Sequence, residues 1–280
     1  MRTLLAALLA ALAFALAGCT DADAGSLATS GGGAAPGVAA SYTDKTLAEI
    51  EALTCAVGEV GYPTDSPHVL LCRSAGTWTY TIEGQEVTPS LIADWPTSVT
   101  PGSAPAHWTA TDREGMATVE AYGANVRGLF RTLPSAPYTI TIRFRARVSD
   151  LDYNAAVIIM RQSSDGLARR WGVREYGSGA AGTARIYNLD ATWAISGGIL
   201  DTIPEEAAWG IQCVQIQDDE TNVTFSWSRD CVNYSLAYSV GRTTYITANQ
   251  IGISPYPYQS GTAAGQGTTI QVVSYTETNP

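Results

Sequence analysis

The sequence predicts an all-β chain: a two-sheet antiparallel β-sandwich preceded by a small disulfide-braced β module. Three observations predict it. In PYTITIRFRARV, Tyr138, Ile140, Ile142, Phe144, Ala146 and Val148 fall on one face, and Thr139, Thr141, Arg143, Arg145 and Arg147 on the other, the period of two of a half-buried strand. From His107 onward, short runs of this kind are separated by Gly, Asp, Asn and Pro turns at near-regular intervals, with no helical periodicity before the end, as in two packed antiparallel sheets. Four of the cysteines form two local pairs, Cys55 with Cys72 and Cys213 with Cys231, close enough in sequence to bridge short loops.

The 280 residues, 45% of them hydrophobic, are ample for a core. A net charge of −10 with a single lysine, Lys45, excludes an overall nucleic-acid-binding surface, because phosphate binding needs clustered cations. The N-terminus opens with Arg2, runs through LLAALLAALAFALA and ends at small residues, Leu16-Ala17-Gly18-Cys19. The apolar run is too short to span a bilayer, so residues 1–18 read as a signal peptide. LAGC resembles the lipobox of bacterial lipoproteins. That resemblance implies cleavage before Cys19, a lipid on Cys19, and a membrane anchor on the periplasmic or cell-surface face of the envelope. An ordinary secretory signal with an incidental cysteine is the alternative.

Residues 19–42 are Gly, Ala, Ser and Asp with almost no large apolar side chain, a composition that reads as a flexible tether. Residues 43–92 form the small module. Leu47, Ile50 and Leu53 recur at helical spacing after Thr43 or Asp44 as N-cap, and Trp78, Tyr80 and Ile82 alternate with threonines. A core this small gains from the Cys55–Cys72 bridge. The Pro/Ser-rich stretch 93–104 reads as a linker. Residues 105–277 then supply the sandwich strands: PYTITIRFRARV, NAAVIIMR, RRWGVREY, TARIYNL, ATWAIS, the stretch Trp209–Ile253 and TTIQVVSYT. Within Trp209–Ile253, Val223, Phe225 and Trp227 alternate with Asn222, Thr224, Ser226 and Ser228, and Cys213 and Cys231 flank one hairpin. Four cysteines without C-x-x-C spacing, and only His68 and His107 as histidines, argue for disulfides over zinc.

Ser163-Ser164-Asp165-Gly166 after a strand, then FSWSRDCVNYSLAY and a span ending NQIGIS, resemble the turn and strand order of concanavalin A-like lectin/glucanase jelly rolls. The similarity covers about residues 105–277. It implies that fold and a carbohydrate ligand. It departs from the pattern at Cys231, where many relatives have Gly.

Catalytic motifs are not legible. Retaining glycosidases on such a sheet need paired carboxylates at alternate positions, whereas Glu120, Glu175, Glu205 and Glu206 are isolated or in turns. A lyase would need His, Tyr and Arg together on one sheet, and His68 lies outside the sandwich with His107 at its edge. No G-x-S-x-G occurs, and Gly177 to Gly182 spells G-x-G-x-x-G between two strands, a hairpin loop instead of a dinucleotide fingerprint.

The ligand-binding candidates are the row Arg143, Arg145 and Arg147, together with Arg174, Tyr187, Trp193, Tyr256 and Tyr258. One reading makes them a groove for an acidic glycan, with guanidinium forks and aromatic platforms; the plainer one pairs the arginines with acidic residues on neighbouring strands. Tyr256 and Tyr258 fall in PYPY, whose prolines argue against a central strand. Asp150, Asp152 and Asn154 place oxygen ligands at alternate positions, a loose calcium site or a solvated turn, with no cofactor required. The resulting expectation is a lipid-anchored extracytoplasmic protein whose sandwich binds carbohydrate or another surface ligand without catalysis. The alternatives are a glycoside hydrolase or polysaccharide lyase with a dispersed active site, and a structural or adhesion component of a surface or phage-derived assembly.

Overall fold

The computed structural model describes residues 41–65, 69–82, 85–123, 125–148, 154–177, 180–203, 212–257 and 267–279. The signal peptide and all but the last two tether residues lie outside them.

A five-stranded sheet comes first, in the order β1 (Ser41–Tyr42), β2 (Val60–Gly61), β3 (Val69–Ser74), β4 (Thr77–Ile82) and β5 (Gln85–Val87). A single-turn helix, α1 (Leu47–Glu51), packs Ile50 into it. The cap is Thr46, not Thr43 or Asp44. Thr46 Oγ1 accepts from the Glu49 backbone N–H and the Glu49 carboxylate accepts from the Thr46 N–H, a reciprocal capping box. Gly61 makes room for α1, since a Cβ there would meet Ile50 Cγ2 at 2.8 Å. The Cys55–Cys72 disulfide joins the segment after α1 to β3, and Trp78 Nε1 donates to Leu53 O across the same small core.

Within the stretch 93–104, which reads as a linker, Trp95 and Thr97–Val99 belong to the sandwich. Trp95 is buried, donates Nε1 to Ser90 Oγ at 3.0 Å and meets Tyr275 edge-on. Thr97–Val99 (β6) pairs with the strand containing Phe130. The Pro/Ser-rich composition hid one large aromatic anchor, and a buried Trp removes far more apolar surface from water than its exposed neighbours lose.

Two seven-stranded sheets follow. Their strands are β7 (His107–Arg113), β8 (Met116–Tyr122), β9 (Gly128–Thr132), β10 (Tyr138–Arg147), β11 (Ala155–Arg161), β12 (Ala168–Gly177), β13 (Ala180–Leu189), β14 (Ile195–Ile203), β15 (Cys213–Asp218), β16 (Asn222–Ser228), β17 (Ser235–Gly241), β18 (Gln250–Tyr256) and β19 (Thr268–Thr278). The first sheet has the order β17-β16-β15-β10-β19-β8-β7, and the second β14-β13-β12-β11-β18-β9-β6. All pairings within both are antiparallel.

Alternation decides what lies between them. Ile140, Ile142 and Phe144 of β10 face Ala156, Ile158 and Met160 of β11, and Val223 and Phe225 face Trp171, Val173 and Ile186 in one cluster. Trp171 meets Phe225 edge-on at 5.7 Å, a geometry worth roughly 0.5–1.5 kcal/mol beyond burial. The Cys213–Cys231 disulfide ties β15 to the turn after β16. Asp218, at the end of β15, is 4% exposed and ion-paired with Arg242 at 2.9 Å.

Two further expectations need correction. ATWAIS is not a strand: residues 191–194 form a turn, and β14 starts at Ile195. PYPY does not exclude a central strand either. β18 lies between β11 and β9 and includes Pro255, but its ladder with β9 ends at Ile253. Pro255 therefore sits where no partner on that side asks for its missing N–H.

Candidate functional site

The outer face of the second sheet is apolar in its middle, and the β13–β14 connection folds over it. Asp190 shapes that connection. Its Oδ1 accepts from the Thr192 N–H at 2.8 Å, the Thr192 hydroxyl at 2.7 Å and the Ala194 N–H at 3.1 Å, while Trp193 N donates to Asp190 O. These bonds, the Thr192 hydroxyl first among them, hold the Asp190 carboxyl below the usual carboxylate range. The turn so formed places Trp193 at φ +62°, a left-handed conformation that is rare for a bulky residue. Burial compensates for it: Trp193 is 1% exposed.

The Trp193 ring packs against Phe130 and close to Gly128, and Phe130 in turn packs against Gly252. Trp193 Cη2 lies 3.3 Å from where a Cβ on Gly128 would be, and the Phe130 ring, centred 5.5 Å from that of Trp193, lies against Gly252. A Cβ on Gly252 would come within 2.4 Å of Phe130 Cδ1. Farther across the face, Arg170 is buried with its guanidinium 4.5 Å from the Tyr187 ring and 4.3 Å from the Tyr256 ring. Cation–π attraction is strongest where water is excluded. Tyr256 then donates its hydroxyl to Trp193 O at 2.8 Å, which ties the turn to the sheet.

At one end of this covered face a cleft of about 180 Å³ stays open. Pro101, Gly102 and Ser103 form one wall, Asn125 and Val126 a second, and Thr192 and Ala194 a third, with buried Trp193 and Tyr256 on the inner side. Asn125 Nδ2 donates to Ala104 O, which anchors its amide. The Thr192 donor is committed to Asp190, leaving its oxygen as an acceptor. Ser103 and Thr192 are exposed. The described lining is thus neutral: hydroxyls and an amide beside aromatic and aliphatic carbon.

Of the ligand-binding candidates, the structure brings together Tyr187, Trp193 and Tyr256, all buried on the outer face of the second sheet. Arg143, Arg145 and Arg147 lie on the outer face of the first sheet, because β10 belongs to that sheet. The single groove combining this row with the aromatics is therefore not formed; the sandwich separates them. Arg143 is also only 7% exposed. Arg174 lies on β12, with its side chain outside the described residues, and Tyr258 lies outside them too. Asp150 and Asp152 fall outside as well, and Asn154 is buried. Among the described residues no three His, Cys, Asp or Glu side chains converge. His107 stacks on Tyr122 at the β7 edge, 4.4 Å between centroids.

Ser103, Asn125, Thr192 and Ala194 escaped the sequence reading. One signal was available: Asp-x-Thr after a strand is an Asx-turn pattern, and it marks the turn that carries Trp193 over the sheet.

No family model matches the chain, and no curated protein matches it. The chain is similar in structure to a functionally unknown protein from Saccharomyces cerevisiae, at TM-score 0.47 and 15% identity over 68% of this chain and 99% of that one. It is similar to a legume lectin-like domain from Entamoeba histolytica at TM-score 0.44 and 7% identity, over 66% of this chain and 91% of that one. A GH43 protein from Bacillus licheniformis is similar at TM-score 0.44 and 11% identity, over 63% of this chain and 36% of its own. Similarity at this level says nothing of ligand or activity.

Proposed function

We propose that the sandwich binds a neutral carbohydrate, without turnover, in the cleft between residues 101–103, 125–126 and 192–194, and that a lipid on Cys19 displays it outside the cytoplasm. The cleft's lining carries the reading: Ser103, Asn125 and Thr192 offer hydroxyl and amide groups beside apolar carbon. That mixture matches a sugar, whose ring has apolar C–H patches between hydroxyls. A charged ligand would leave its charge uncompensated there. Two disulfides, Cys55–Cys72 and Cys213–Cys231, support export to an oxidising compartment, and Cys19 is the cysteine outside these pairs.

Ala194 is exposed on the cleft wall, so Ala194→Trp should fill the cleft without disturbing the core. On a glycan array, with and without calcium, the protein should bind neutral glycans and the variant should bind them at least about tenfold more weakly, with unchanged thermal unfolding. Equal binding by the variant would remove the cleft from the account. Release of reducing ends from a bound glycan would overturn the non-catalytic assignment. Labelling with a palmitate analogue, lost in Cys19→Ala, tests the anchor.

A further inference from the structure

We propose that the outer face of the first sheet, on the side of the sandwich opposite the cleft, is a second binding surface, for a carboxylated polysaccharide. Arg145 and Arg147 project from it, both exposed, and alternate residues on a strand place them roughly 6.7 Å apart. Their ladder partners on β19 are neutral, Gln271 and Thr269. On the other side, the described pairing of β10 with β15 ends at Arg143 opposite Cys213. Among the described residues neither Arg145 nor Arg147 has an ion-pair partner. Among the described residues, cross-strand charge pairing therefore does not account for them.

The rest of the face suits a glycan. The row through Arg147 continues across Thr269 to Glu120, and two residues along β8 from Glu120 is Tyr122. Tyr122 and His107 form a stacked, half-buried ring pair, 4.4 Å apart and 8° from parallel. Two strand spacings and one side-chain repeat put this pair roughly 12 Å from Arg147, the span of a few sugar rings. Glu120 is already taken by Arg113 at 3.5 Å, so among the described residues this part of the face keeps a surplus of positive charge in a chain of net charge −10. Guanidinium forks fixed on a sheet match carboxylates in a bidentate manner, and a ring pair offers a platform for the sugar's C–H face. A local cationic patch in an acidic protein also steers anionic polymers to one face.

The test is affinity electrophoresis of the purified protein through gels containing polygalacturonate, alginate, dextran sulfate or neutral dextran, at several salt concentrations. The wild type should be retarded by polygalacturonate or alginate and not by dextran. Arg145→Ala/Arg147→Ala should weaken that binding at least about tenfold and flatten its salt dependence. Arg145→Lys/Arg147→Lys should recover only part of it, because the charge returns without the fork. Ala194→Trp should leave it unchanged, so failure here and failure of the cleft are separable. No retardation of the wild type by either uronate polymer, equal retardation of the alanine variant, retardation by dextran sulfate alone, or binding confined to vesicles of anionic lipid would each overturn the proposal.

Discussion

Asp190 shows how one carboxylate can set a site. Three donors within two turns' reach converge on one of its oxygens, and the turn they define pushes Trp193 into a left-handed backbone conformation and over the sheet. Because the folded carboxyl sits below its unfolded value of about 3.9, its contribution is complete above that pH and is lost as the pH falls through the lowered folded value. Glycan binding should therefore hold from neutral pH down to about pH 4 and decline below it, while Asp190→Asn should bind more weakly at pH 7 and lose that acid limb. A pH titration of binding for both proteins checks this. None of it was legible in the residue itself. Asp190 reads as one more polar turn residue until the structure shows that β13 ends beside it and that Gly128 leaves room for the Trp193 ring.

At the scale of elements, alternation was a reliable guide wherever one face of a strand is buried. The inward face assigned to β10 holds from Tyr138 through Ala146 and on to Val148, although Arg143 on the other face is buried too, and β16 buries Val223 and Phe225 as its pattern requires. It failed where a single side chain outweighs composition. Trp95 turns a Pro/Ser-rich stretch into core, Trp193 turns a strand-like run into a covering turn, and Pro255 is tolerated because β9 stops short of it. The local cysteine pairing was legible because a hairpin brings its own ends together. Cys213–Cys231 closes a loop with a sequence separation of 18 and holds the turn beside Arg143 and β17. Replacing both by Ala should lower stability by about 3 kcal/mol, measured by denaturant unfolding. The outer face of the second sheet, on the other side of the molecule, should keep its ligand under native conditions.

For the whole molecule, the decisive step is the division of chemistry between two outer faces. The sequence places arginines and aromatics in one region, and their proximity along the chain suggests one groove. Topology separates them, because β10 enters the first sheet while β13 and β18 enter the second. Which sheet a strand joins depends on long-range pairing that no local pattern encodes. The second sheet thus gains a covered apolar face with a neutral cleft beside it, and the first, whose outer face is covered by Val87 where Met116 and Val273 lie, keeps Arg145 and Arg147 exposed and, among the described residues, unpaired. Backbone hydrogen exchange on the purified protein, with and without a saturating neutral glycan chosen from the array, tests this division most directly. The account predicts slowed exchange at residues 102–103, 125–126 and 192–194, with β10 and β19 unchanged. Protection of β10 and β19 by the neutral glycan, or none in the three cleft segments, would contradict it.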